Sequence, residues 1–251
     1  MCAEILLAAD ERLDEVNEDL VLIQKKNALA FGTDAFLLSA FLRPATRERA
    51  VELGCGNGII SLLAATRGRF SHITAVEIQA QMADLAARNV ACNHLSDRVL
   101  VLESDVRLLN AATLGGEVGV VFANPPYMRT DSGAASPYGA KEIARHETKG
   151  GIREFAAAAA RTLKYGGLFY TVYRPDRIEA LFAALREHKL APKRMVLVQD
   201  HPEAPPSMLL LESKLGAAEG LVLLPTLCLH EKRGDKALSP RAAAIYENGI
   251  F

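Results

Sequence analysis

From residue 50 onward, short apolar runs alternate with stretches of helical period. AVEL (50–53), HITAVE (72–77), VLVLE (99–103), VGVVFA (118–123) and GLFYTVY (167–173) read as buried strands. Between them, residues 58–66, 79–93, 152–163 and 177–189 carry the spacing of helices. This alternation predicts an α/β fold with a doubly wound, mostly parallel sheet. Two late strands, KRMVLVQ (193–199) and SMLLLES (207–213), have only a Pro-rich turn between them. They should pair as a hairpin, which makes one strand antiparallel. LVLLPTLCLH (221–230) reads as one added strand at the end. Ahead of the alternation, residues 10–30 suggest a small β lead-in and GTDAFLLSAFL a helix. The expected division is a lead-in over 1–45, packing on a domain over 46–251. The polar stretch 124–150 is long for a connection inside a compact domain, and such loops are usually functional.

The first strand runs straight into VELGCGNGII, with Gly54, Gly56 and Gly58 between strand and helix. Glycines there permit positive φ and close backbone approach, and the helix start offers free N–H groups. Glu77 ends the next strand, where an acidic side chain commonly takes a ribose hydroxyl. A nucleoside-bearing cofactor is implied. The spacing is Gly-x-Gly-x-Gly with Glu52 just ahead, and an acidic group there repels a pyrophosphate. S-adenosylmethionine carries a sulfonium and an ammonium and no phosphate, so the loop favours it over a nicotinamide dinucleotide. Asp105, in ESDVR, can accept from the adenine amine or cap the helix that follows.

The fourth strand stops abruptly in Asn124-Pro125-Pro126-Tyr127. Two prolines cannot continue a strand. They do fix carbonyl groups and withdraw competing N–H donors. An Asn124 carbonyl and the Pro125 backbone carbonyl can both accept from a planar amine. Such acceptors favour pyramidal nitrogen and the positive charge that develops during attack. Tyr127 offers a face on which an unstacked base can lie.

Composition narrows the setting. Of 251 residues, 50% are hydrophobic and 24% charged, which is globular, and the formal net charge of −1 gives no overall basic field. A nucleic-acid partner needs a local basic rim; Lys25, Lys26, Arg129, Lys141, Arg145, Lys149 and Lys214 are the candidates. Cys2, Cys55, Cys92 and Cys228 have no paired spacing, which suggests reduced thiols, no metal and a cytoplasmic home. No apolar run is long enough to span a bilayer, and the N-terminus turns acidic where a secretory signal is basic.

Taken together, Glu-x-Gly-x-Gly-x-Gly, the acidic end of the second strand, Asp105 and Asn-Pro-Pro-Tyr resemble Class I S-adenosylmethionine-dependent methyltransferases. That resemblance implies a Rossmann-like, seven-stranded methyltransferase sheet. It assigns the cofactor to Glu52, Gly54, Cys55, Gly56, Asn57, Gly58, Glu77, Ile78, Asp105, Val106 and Asn124. Within the superfamily, Asn-Pro-Pro-Tyr resembles the enzymes that methylate planar nitrogens, making Asn124, Pro125, Pro126 and Tyr127 the catalytic group. Three further stretches resemble bacterial tRNA(Val) adenine-N6 methyltransferases, which modify the residue beside the anticodon. Thr33-Asp34-Ala35 with its apolar helix is similar to the family segment over the cofactor. ARHETKGG resembles its substrate-facing loop, giving Arg145, His146 and Lys149 to RNA. The tail resembles its terminal hairpin, with Lys214 in the matching place. The expected reaction is adenine-N6 methylation of RNA. Protein glutamine-N5 and rRNA guanine-N2 methyltransferases share the four-residue motif and stand as alternatives, although each generally carries a larger N-terminal unit. A non-catalytic RNA-binding module and a short-chain dehydrogenase are the remaining readings. The first leaves Asn124 without a task, and the second lacks Tyr-x-x-x-Lys at the required spacing.

Overall fold

In the computed structural model, residues 7–26, 32–125 and 151–251 are described. An antiparallel ribbon, β1 (Glu11–Asn17) and β2 (Leu20–Lys25), leads into α1 (Thr33–Phe41). The main sheet follows: β3 (Ala45–Leu53), α2 (Ile59–Thr66), β4 (Phe70–Glu77), α3 (Ala80–Cys92), β5 (Val99–Glu103) and β6 (Val118–Ala123). After residue 150 come α4 (Ile152–Thr162), β7 (Leu163–Tyr173), α5 (Ile178–Glu187), β8 (Leu190–Gln199) and β9 (Met208–Leu215). Two dipeptide strands, β10 (Val222–Leu223) and β11 (Leu227–Cys228), and a helix α6 (Pro240–Asn248) end the chain.

The seven long strands lie in the order β8-β9-β7-β6-β3-β4-β5. All run parallel except β9, which is antiparallel to both β7 and β8, as the hairpin reading required. Every residue of β6 is buried, the mark of a parallel strand covered on both faces. Alternate residues feed two apolar layers. Ala50, Val120, Phe122 and Val172 face α1, α2, α3 and α6, whereas Val51, Leu53, Val121 and Ala123 face α4 and α5.

The sheet order reverses between β3 and β6. The chain steps outward from β3 to β5, then returns to place β6 on the other side of β3. In open α/β sheets, ligands bind at the carboxyl ends of the strands where this reversal occurs. The glycine turn leaves β3 at that point and Asn124 leaves β6 beside it.

The ribbon is fastened to α3 by side-chain amides that imitate a neighbouring strand. Asn89 accepts from the Ile23 N–H (2.7 Å) and donates to the Ile23 carbonyl (3.1 Å). Asn93 does the same for Val21, at 2.9 and 2.8 Å.

Two details differ from the sequence expectation. The added strand at 221–230 is two short pieces along β8, because Pro225 between them has no N–H for the ladder. Helix α6 was not expected. Its signals are present nonetheless: Ser239 accepts from the Ala242 N–H, proline follows at the first helical position, and Gly249 closes the helix at φ 67°.

Candidate functional site

The glycine turn is built by backbone geometry that side chains resist. Gly54, Gly56 and Gly58 sit at φ 70°, 56° and 86°, in the left-handed region. The Gly54 and Cys55 N–H groups both donate to the Val76 carbonyl at the end of β4 (2.8 and 2.9 Å). Glu77 braces the same turn. It accepts from the Gly56 N–H at 3.0 Å and the Gln79 N–H at 2.9 Å. Each of its two carboxylate oxygens is thus engaged by a backbone N–H group.

Glu52 is fully buried under the turn. It accepts from the Ser61 N–H (3.0 Å) and from the Ser61 hydroxyl in the first turn of α2. Burial pushes its carboxyl from an ordinary 4.5 up to about 8, partly offset by the Ser61 bonds, with the neighbouring Glu77 adding to the rise. The same burial and the two carboxylates push the Cys55 thiol up, so it is no nucleophile.

A cavity of about 230 Å³ opens above this acid. Its floor is Glu52, Gly54, Cys55, Gly56 and Asn57, and its walls are Gly32, Asp34, Ala35, Ile59, Ile60 and Asn124. Of the predicted cofactor residues, Gly58 lies directly behind, as the N-cap of α2, and Ile78 half-buried after β4. Thr33 and Asp34 open α1, whose remaining residues are buried. The Asp34 carboxylate accepts from the Ala35 N–H at 2.9 Å and from the Asn124 side-chain amide at 2.8 Å.

Asp105 follows the end of β5. It caps a short 3₁₀ turn by accepting from the Arg107 N–H (2.9 Å), and its carboxylate is gripped by the Arg107 guanidinium at 2.5 to 3.0 Å. That pairing holds its carboxyl below the usual range. Val106, beside it, is buried in the apolar layer under α4.

Lys214 is not brought to the cleft. Because β9 runs against its neighbours, Lys214 pairs with Leu168 in the middle of β7. The row of Ala123 is Thr171 and Leu211, three residues or ~10 Å further along. Lys25 pairs with Asp10 (3.0 Å) and Glu11 (3.2 Å), and Lys26 donates to the Ala9 carbonyl. Pro126, Tyr127, Arg129, Lys141, Arg145, His146 and Lys149 lie outside the described residues.

Sequence reasoning missed Gly32, Ile59, Ile60 and Ser61. The signal for Ser61 was legible: it is the polar residue inside the apolar run IISLLAA, in the first turn of α2 and bonded to Glu52 of β3.

The site therefore joins a glycine turn over a buried acid, at the sheet's switch point, to an asparagine and a proline that end the adjacent strand. The methyltransferase small domain family matches residues 25–188. The chain belongs to that family and is an S-adenosylmethionine-dependent methyltransferase. It is similar to the tRNA1(Val) (adenine(37)-N6)-methyltransferase of Dyadobacter fermentans, at 29% identity over 214 residues, covering 84% of this chain and 86% of that one. The enzyme of the same name from Phocaeicola vulgatus is 32% identical over 175 residues, covering 70% and 72%. In fold it is similar to the crystal structure of a predicted O-methyltransferase from Agrobacterium tumefaciens, with a TM-score of 0.69 at 22% identity, covering 87% of this chain and 97% of that one. Among the described residues, no helix is long and apolar enough to cross a membrane.

Proposed function

We propose that this protein methylates the exocyclic N6 amine of adenine in RNA, and that its substrate is a tRNA modified beside the anticodon. The observation that carries the reading is the shared cavity: Asn124 lines the same 230 Å³ space as Glu52 and the glycine turn. The names of the tRNA-modifying relatives support the choice of substrate.

The residues fit the cofactor chemically. Three left-handed glycines, the Glu77 side chain and a buried Glu52 that a bound cation would draw into its ionised form suit a cationic nucleoside. Glu52 and the glycine turn hold its amino-acid end, Glu77 its ribose, and Asp105, with Ile78 and Val106, its base. S-adenosylmethionine supplies an electrophilic methyl on a sulfonium. The chain's part is to present the nitrogen. Asn124 and the Pro125 carbonyl accept its two N–H bonds, which turns the lone pair toward the methyl and stabilises the charge formed on nitrogen. Pro126 keeps the turn rigid and Tyr127 stacks the base. No base need act before attack; the extra proton leaves to water afterwards. Arg145, His146 and Lys149 engage the RNA backbone.

The test uses radiolabelled S-adenosylmethionine and total RNA from a strain lacking the gene, followed by digestion to nucleosides. Labelled N6-methyladenosine is expected. Label in N2-methylguanosine, or in a protein extract and not in RNA, would replace the reading with one of its alternatives. Asn124→Ala should bind cofactor as before and lose turnover by ~10²–10³. Parallel loss of both would make Asn124 structural.

A further inference from the structure

We infer that Asp34 is a positioning residue that fixes which end of the Asn124 amide faces the substrate; the inference rests on the reaction proposed above. The side-chain amide of asparagine is nearly symmetric in shape, with a donor at one end and an acceptor at the other. Only the carbonyl end can help an amine become a nucleophile. The NH₂ end would oppose its two N–H bonds. Something must choose between them.

Asp34 makes the choice. A carboxylate offers only acceptors, so the group it meets at 2.8 Å must be the Asn124 NH₂. Turning the amide over would set its carbonyl oxygen against the carboxylate. With the NH₂ committed to Asp34, the carbonyl oxygen is at the other edge of the amide group. The second Asp34 oxygen is occupied by the Ala35 N–H at 2.9 Å, which pins the carboxylate itself.

The helix carrying Asp34 is held hard. The Phe36 ring stacks on Tyr246 at 4.2 Å with the planes 5° apart. Tyr246 lies beside Thr33, the residue before Asp34. Arg67 lies over Phe36 at 4.9 Å and donates to the Ser39 hydroxyl. At the far end, Arg194 stacks on Phe41 at 4.0 Å and donates to its carbonyl at 2.7 Å. Asp34 is thus a fixed point against which Asn124 is set, although the two are 90 positions apart.

The test is an exchange. In Asp34→Asn, the new carbonyl keeps the Ala35 N–H and the new NH₂ turns to residue 124. Asn124 then flips to accept from it and shows its own NH₂ to the substrate. In Asn124→Asp, two carboxylates face each other. In the double variant Asp34→Asn with Asn124→Asp, the residue-34 NH₂ donates to one oxygen of residue 124 and leaves the other as an acceptor for the substrate. Each single variant should lose ~10²–10³ in kcat, the usual loss when one oriented polar partner of a transition state is removed. The double variant should recover at least tenfold over the better single. Cofactor affinity, read by calorimetric titration with S-adenosylhomocysteine, should stay near wild type in Asp34→Asn. A double variant no better than its singles, with wild-type melting and cofactor binding, overturns the inference. So does loss of cofactor affinity in Asp34→Asn equal to its loss of kcat, which would make Asp34 a cofactor ligand only. If Asn124→Ala retains full activity, the proposed reaction fails and not merely the role of Asp34.

Discussion

Glu52 allows a quantitative prediction, because its carboxyl ionises near 8 in the folded protein and near 4.5 when free. A group whose folded pKa lies above its unfolded one contributes stability at low pH and forfeits it as pH rises. Here the window is from 4.5 to about 8. At pH 7 the unfolded chain has ionised and the folded one has not, a difference of about 3 kcal/mol at 1.36 kcal/mol per tenfold. Glu52→Gln is isosteric, retains an acceptor for Ser61 and cannot ionise. Its stability relative to wild type should therefore rise with pH. The variant should gain ~3 kcal/mol between pH 4.5 and 7, or roughly 6 to 12 °C in melting temperature for a chain of this size. The assay is thermal melting of both proteins, without cofactor, at intervals from pH 5 to 9. Any fixed penalty from the buried glutamine NH₂ shifts the whole curve and leaves its slope. A difference that stays flat across this range, or falls, would refute the assignment of a protonated Glu52.

Three further outcomes are expected. Binding of S-adenosylmethionine at pH 7 should release close to one proton as its cation draws Glu52 into the ionised form; calorimetry in buffers of different ionisation enthalpy measures this, and zero release would place Glu52 away from the cofactor's charge. Asn89→Ala removes the partner of both buried Ile23 backbone groups and of the Asn57 carbonyl, and should destabilise by ~2–4 kcal/mol with faster amide exchange in β2, read by denaturant unfolding and hydrogen exchange. Gly54→Ala places a Cβ 3.2 Å from the Phe155 ring on a backbone at φ 70°; it should lower the melting temperature and weaken cofactor binding by tenfold or more, and a neutral result would mean the turn can relax.

Much of the architecture was legible in the alternation of periods. Parallel strands buried on both faces leave continuous apolar runs, and VGVVFA is one: six residues, all buried. The glycine turn was legible because its three left-handed residues have only one inexpensive spelling. Helix α6 was legible too, through Ser239, Pro240 and Gly249, yet it was passed over, since its apolar face is short: Ala242 and Ile245 are its only buried residues. Other features leave no trace in one sequence. Asp105 reads the same whether it awaits an adenine or grips Arg107. The bond from Asn124 to Asp34 joins the end of one strand to the start of a helix on another layer, and no spacing rule connects them.

Lys214 shows how strand direction decides what a motif can reach. Residues following a parallel strand all emerge at one rim, which is why the turns after β3, β4 and β6 share a cleft although they are far apart in the chain. A residue late in an antiparallel strand emerges at the opposite rim. The hairpin reading of residues 193–213 already required that reversal, and the register bears it out: Leu209 pairs with Tyr173, Lys214 with Leu168. Moving along β9 toward its end therefore carries a side chain away from the Asn124 rim, one residue-step at a time. A cation that reaches an RNA bound over that rim must come from the ends of the parallel strands, from α1 or from the segment between β6 and α4. Of the predicted RNA ligands, Arg129, Lys141, Arg145, His146 and Lys149 belong to that last segment of the sequence, and their removal should weaken RNA binding without touching the cofactor.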